Sequence, residues 1–167
     1  MSRTAMRGGA IEGGGFEQRL RALEDRAAIL DLEAAYAISW DTNQPQRWAE
    51  LFTEGGIFEM LAAGDMPHLR FAGHEALAGF CREINMRWSG LHYLHPPQLE
   101  ISGDQAQATV FFEYKYLNRE SPAHTRQGSA SGHYRVTYQR TGAGWRISQR
   151  IETSVMSQSA SFYDIGA

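Results

Sequence analysis

The stretch Arg26-Ala27-Ala28-Ile29-Leu30-Asp31-Leu32-Glu33-Ala34-Ala35-Tyr36-Ala37-Ile38-Ser39-Trp40-Asp41 decides the fold. It closes a run, residues 17–40, that has no Gly or Pro and is dominated by Ala, Leu, Glu and Arg, which predicts one long helix. Leu23, Ala27, Leu30, Ala34 and Ile38 recur at helical spacing and form one apolar stripe, and Ile29, Leu32, Tyr36 and Trp40 form a second on the far side. A helix apolar on two sides is expected to be buried on both, or buried on one while the other lines a cavity. Asp41 continues the first stripe, so a carboxylate ends a face read as buried. It is either an exposed helix-end Asp bonded to the following turn or a carboxylate at a cavity mouth, able to orient a histidine.

Outward from this helix, residues 1–15 carry five glycines and little apolar surface, which predicts a disordered tail. Beyond Asp41, Thr42-Asn43-Gln44-Pro45 breaks the helix, and Pro45 opens a short second one over residues 45–52. Gly55-Gly56 leads to a strand at 57–61, residues 62–70 read as a loop, and a third helix is expected at 75–85. Four strands follow, at 92–101, 106–118, 129–140 and 145–156, separated by turn-forming Gly, Pro, Ser and Asp. In one of them Ala108, Val110, Phe112, Tyr114 and Tyr116 share a face. Helices first and long antiparallel strands after them indicate an α+β fold in which one curved sheet wraps the long helix. A single folded unit, residues 16–156, is expected, with residues 157–167 as a C-terminal tail that covers the pocket, packs on a neighbour or hangs free.

The length of 167 residues suits one ordinary domain, and 43% hydrophobic residues are enough for a core. A formal net charge of −3 gives no electrostatic case for nucleic acid or an anionic membrane as partner. The single Cys81 excludes an intrachain disulfide and reads as a small buried apolar residue. The apolar runs are too short for a membrane span and the N-terminus lacks a secretory core, so a cytoplasmic location is expected by default.

His92, in Gly90-Leu91-His92-Tyr93-Leu94-His95-Pro96-Pro97, opens a strand. Neutral imidazole, ordinarily titrating at about 6.5, is a natural general base, or else a satisfied polar strand residue. His95 reads as a structural or rim residue. The two histidines and Asp41 also offer metal-binding atoms, but no His-x-Glu-x-x-His cluster occurs and no metal is expected. No Gly-x-Gly-x-x-Gly, Walker-type loop or Gly-x-Ser-x-Gly elbow is present, which removes the usual support for nucleotide chemistry or serine hydrolysis.

These residues resemble a known family. Residues 26–32, Tyr36, Asp41, Trp48 and Leu51-Phe52-Thr53-Glu54 are similar to the opening of SnoaL-like proteins of the nuclear transport factor 2-like superfamily. Residues 71–77, His92 through Gly103-Asp104, and Gly132-His133-Tyr134 leading to Gly144-Trp145-Arg146-Ile147 continue the likeness. It implies a cone-shaped α+β barrel with a long N-terminal helix, two shorter helices, a curved antiparallel sheet and a deep apolar pocket. Within the superfamily the pattern resembles the branch of scytalone dehydratase, bile-acid 7α-dehydratase and hexachlorocyclohexane dehydrochlorinase, in which an Asp ending the first helix pairs with a strand His. Asp41 and His92 fall on those positions, and Tyr36 on that of a Tyr that polarises a substrate oxygen. In an unbroken helix Tyr36 sits about 140° from Asp41.

Two departures narrow what the resemblance implies. No second histidine lies within residues 110–114, and Ser154 stands where the bile-acid enzyme has a pocket Arg. Arg146, Arg150 and His133 remain to face either the cavity or solvent. The implied function is a lyase without cofactor (water loss first, release of a one-carbon fragment next) or an isomerase, acting on an aromatic or polycyclic hydrophobic small molecule. Trp40, Phe58, Trp88, Tyr114, Tyr116, His133 and Arg146 are the expected pocket residues, and a homotrimer is implied by resemblance. The alternative is a non-catalytic small-molecule-binding protein or an interaction subunit of the same fold.

Overall fold

Alternation of side chains along three long strands, and the break forced by Asn43 and Pro45, set the architecture. The computed structural model describes residues 15–121 and 124–163. Helix α1 spans Phe16–Asp41, α2 Pro45–Glu50 and α3 His74–Arg87. The strands are β1 Phe52–Met60, β2 Leu69–Ala72, β3 Trp88–Leu94, β4 Gln98–Ser102, β5 Gln105–Ser121, β6 His124–Thr141 and β7 Gly144–Tyr163. They form one sheet in the order β2-β1-β7-β6-β5-β3, with β4 also paired to β5. The fold is mixed α+β, as expected. The sheet curves but does not close, because β2 and β3 remain as edges, so the expected barrel is an open one.

Several features differ from the sequence reading: Phe52, expected to close the second helix, opens β1, and a short strand, β2, begins at Leu69 within the expected loop. The single strand expected at 92–101 is two, β3 and β4, because Pro96 and Pro97 cannot donate to the ladder; both halves still pair with β5. The sheet is not wholly antiparallel: β1 runs parallel to β7, with Phe58 against Arg150 and Met60 against Glu152. Residues 157–163, read as tail, continue β7 and pair with β6 as far as His124↔Tyr163. Residues 1–14 and 164–167, the remainder of the expected tails, lie outside the described residues.

Helix α1 lies across the inner face of the sheet, but not on two apolar sides. The stripe of Ile29, Leu32, Tyr36 and Trp40 is buried, together with Asp25, Glu33 and Ser39. The other stripe faces outward: Leu23 is 61% exposed and Ile38 52%, and Ala27, Leu30 and Ala34 are exposed as well. The buried face is therefore partly ionic, because carboxylates on α1 find cations on distant strands. Asp25 accepts hydrogen bonds from the Arg140 guanidinium and, at 3.1 Å, from Trp145 Nε1. Around them Ile29, Trp48, Phe52, Phe58, Leu77, Val110, Tyr134, Tyr138 and Ile147 form the core.

Asp25 makes the helix–sheet contact pH-dependent. The Arg140 hydrogen bond, against a desolvation penalty and with help from Trp145, holds its carboxyl below the usual range. A depressed folded-state pKa contributes stability above the unfolded value of about 3.9, and that contribution is lost as pH falls through the folded value. Asp25→Asn is expected to cost about 1–3 kcal/mol at neutral pH. Chemical denaturation from pH 7 down to 2 should show the gap between variant and wild type closing on the acid side; a gap independent of pH would refute the assignment.

Candidate functional site

The end of α1 positions the first functional group. Asn43, at φ 52, turns the chain out of the helix, and Thr42 Oγ1 donates to the Ile38 carbonyl at 2.6 Å. Asp41 is thereby left as the last helical residue, beside the start of β3. Its Oδ2 accepts the backbone N–H of His92 at 2.8 Å and its Oδ1 meets His92 Nδ1 at 2.7 Å. The side chains are 10% and 7% exposed, respectively. An ionised carboxylate only accepts, so Nδ1 carries the proton of neutral imidazole and Nε2 presents a lone pair. Nε2 has no hydrogen-bond partner among the described residues.

Rings enclose this imidazole. Tyr114, paired with His92 across β3 and β5, stacks on it with centroids 4.4 Å apart. Gly90 permits this approach, since a Cβ there would meet the Tyr114 ring at 2.7 Å. Trp40 and Tyr36 present edges, both 6.2 Å from the His92 ring. Tyr36 and Asp41, far apart around an unbroken helix, therefore meet at one histidine: Asp41 reaches it over the helix end and Tyr36 from its buried side. Burial pushes the Tyr114 hydroxyl up to about 12, so it remains a proton donor.

A second polar group lies one layer deeper. Arg150 is fully buried; its Nη1 donates to both Glu33 oxygens, at 2.8 and 2.9 Å, and Tyr138 donates to Glu33 Oε1 at 2.8 Å. The guanidinium carbon lies 3.7 Å from the Tyr36 ring centroid and 3.9 Å from that of Tyr134. Desolvation works against its charge, yet Glu33 holds its pKa above the ordinary arginine value. Burial raises the Tyr36 hydroxyl, with Arg150 opposing, so Tyr36 also stays protonated. Glu152, opposite Tyr134 in the ladder, is likewise raised by burial while Ser154 donates to it at 3.1 Å. Among the described residues the Arg150 Nε and Nη2, Trp40 Nε1 and Tyr114 hydroxyl have no hydrogen-bond partner.

The sequence-predicted residues divide accordingly. His92, Asp41, Tyr36, Trp40 and Tyr114 come together; Tyr116 and Trp88 extend the stack, at 5.7 Å from Tyr114 and 4.6 Å from each other. Phe58 packs behind Trp48 and Phe80 in the core. His133 and Arg146 are corrections. Each neighbours an inward residue, Tyr134 or Ile147, so strand alternation turns both to the outer face, where His133 packs on the exposed Phe111. Grooves of about 470 and 550 Å³ also lie there, lined by such residues as Gln98, Arg135 and Thr137, or His95, Phe111 and Met156. Neither groove includes His92, and where a deep apolar space was expected the rings of Tyr114, Tyr36 and Trp40 lie against the imidazole, with centroids 4.4 to 6.2 Å away. No three His, Cys, Asp or Glu side chains among the described residues are grouped to hold a metal.

Neither periodicity nor motif singles out Glu33, Tyr134, Tyr138 or Glu152, and the sequence leaves Arg150 free to face either cavity or solvent. The reason is local: Tyr138 pairs with Ile147 and Thr137 with Gln149, leaving Ser148 as a bulge. The bulge shifts the inward set from Trp145 and Ile147 to Arg150, so simple alternation points the wrong way.

A long helix laid over an open curved sheet is the architecture of the nuclear transport factor 2-like class. The chain belongs to the SnoaL-like domain family, whose match covers residues 21–151. Among solved structures, a candidate aromatic ring hydroxylase from Novosphingobium aromaticivorans is 25% identical, with a TM-score of 0.72 over 83% of this chain and 94% of that one. An NTF2-like protein with a cystatin-like fold from the same species is 26% identical, with a TM-score of 0.65 over 85% and 90%. A type 2 hexachlorocyclohexane dehydrochlorinase, LinA, shares the fold at 19% identity, with a TM-score of 0.72 over 85% and 93%. No curated protein matches the chain. Among the described residues no helix is long and apolar enough to cross a membrane.

The buried ion pair is open to test by thermodynamics. Glu33→Gln leaves the Arg150 charge uncompensated and is expected to cost about 3–5 kcal/mol in denaturant unfolding. Combining it with Arg150→Met should cost clearly less than the sum of the single changes. Strict additivity would show that the pair is not coupled.

Proposed function

We propose that the protein is a cofactor-independent lyase, with isomerisation as the related outcome, acting on an oxygen-bearing hydrophobic aromatic or polycyclic small molecule. The observation that carries this reading is the His92–Asp41 pair, in which both carboxylate oxygens are engaged and Nε2 is left as the basic atom. In an elimination, His92 Nε2 takes a proton from the carbon beside a carbonyl. The C–H electrons form the new double bond, and the β-oxygen leaves as water with a proton from the site. Asp41 stabilises the imidazolium that forms. If the imidazolium instead returns its proton to another carbon, the product is an isomer.

Tyr36, protonated through burial, is the proposed donor to the departing or enolising oxygen. Unpartnered donors on Trp40, Tyr114 and Arg150 suit an oxygen-bearing substrate, since a ligand acceptor would compensate their burial. The rings of Trp40, Tyr114, Tyr116 and Trp88 suit a flat aryl body. The family resemblance to dehydratases, and the fold shared with a dehydrochlorinase, support the reaction class. The trimer implied by the same resemblance would use the outer sheet face, where Leu91, Tyr93, Phe111 and Val155 are exposed.

A panel of β-hydroxy ketones bearing aryl groups tests this, because water loss yields a conjugated enone visible by ultraviolet absorbance. His92→Ala and Asp41→Asn should each lower kcat/KM by roughly 10²–10⁴ while ligand binding, read by Trp fluorescence, persists. Turnover in His92→Ala equal to wild type would sink the mechanism. Binding without turnover by the wild type would favour a ligand-binding protein instead.

A further inference from the structure

The outward stripe of α1 has no role in the core or in the site. Phe16 is 80% exposed, Leu20 44%, Leu23 61%, Leu30 37% and Ile38 52%, with exposed Ala27 and Ala34 between them. At about 100° per residue this stripe is centred opposite the face formed by Asp25, Ile29, Leu32 and Tyr36. It is thus the outermost line of the helix, not the margin of a buried face. Its spacing is a heptad seam: Leu20, Ala27 and Ala34 fall at a, and Phe16, Leu23 and Leu30 at d.

The charges beside the seam specify its occupant. Arg19 and Arg26 occupy the g positions and Glu24 and Asp31 the e positions, and all four are exposed. Two parallel copies of this helix set Arg19 against the partner's Glu24 and Arg26 against the partner's Asp31. An antiparallel pair sets Arg against Arg and acid against acid. Alanines at two a positions let the helices come close along the middle of the seam.

We propose that α1 is a self-association surface: two copies of this chain pair in parallel through the seam of Leu20, Leu23, Ala27, Leu30 and Ala34, with Arg19 and Arg26 facing Glu24 and Asp31. The surface is distinct from the outer sheet face and does not depend on the catalytic reading.

Sedimentation of the full chain tests it. Leu23→Glu with Leu30→Glu is expected to halve the assembly mass while circular dichroism stays that of the wild type. Arg19→Glu with Arg26→Glu should dissociate alone, as should Glu24→Arg with Asp31→Arg, and an equimolar mixture of the two should recover the wild-type mass. In a Leu30→Cys chain the parallel pair places the two introduced thiols face to face, and Cys81 is buried, so mild oxidation should give a covalent dimer. Equal masses for wild type and the double Glu variant would overturn the proposal. So would absence of the Leu30→Cys cross-link, or loss of the larger species on deleting residues 1–14, which would assign the seam to that segment.

Discussion

A carboxylate leaves water only where another group replaces its hydration, and α1 carries three such groups toward the sheet. Asp25, Glu33 and Asp41 are spaced eight residues apart, about 12 Å of helix rise at each step. Each meets a partner more than fifty residues away: Arg140 and Trp145, Arg150 and Tyr138, and His92. A shift of the helix by one turn would separate all three sets and leave buried charge unpaired, at several kcal/mol each. These ties fix the helix in register along its axis, which apolar contact alone does loosely.

The site inherits its geometry from that register. Asp41 can hold His92 by both oxygens because Asn43 ends the helix beside β3, while Glu33 is tied to Arg150 two turns earlier on the same helix. Arg150 in turn lies against Tyr36, whose ring edges His92. The deeper ion pair and the histidine pair are therefore linked through one aromatic ring on one helix. A change at Glu33 or Arg150 would be felt at His92 as a change of position.

What could be read in the sequence follows from how local each signal is. The helices and strands were legible because period and breakers are local, and so was the Asp41–His92 pair, through the family resemblance. The sequence does not show which face of α1 is outward, because periodicity counts apolar residues; Asp25 and Glu33 add nothing to that count, and their partners Arg140 and Arg150 lie more than a hundred residues along the chain. Arg150 stayed undecided for a different reason. A bulge at Ser148 reverses the alternation that Trp145 and Ile147 establish, and no property of serine announces it. Motif position suggests the pocket for His133 and Arg146, but alternation from their inward neighbours Tyr134 and Ile147 turns them out.

The outward stripe still carries information. Apolar residues at helical spacing need a surface to cover them, and the described residues cover the opposite side of α1. Polar ties already hold the helix to the sheet, so Leu20, Leu23 and Leu30 add little to folding of the isolated chain. A face free of folding duty would be expected to carry mixed polar residues; this one is apolar along its centre and sorted by charge at its margins. Among the described residues the sorting of basic residues to one margin and acidic residues to the other serves no printed ion pair or hydrogen bond, and it is the feature that distinguishes a parallel partner from an antiparallel one.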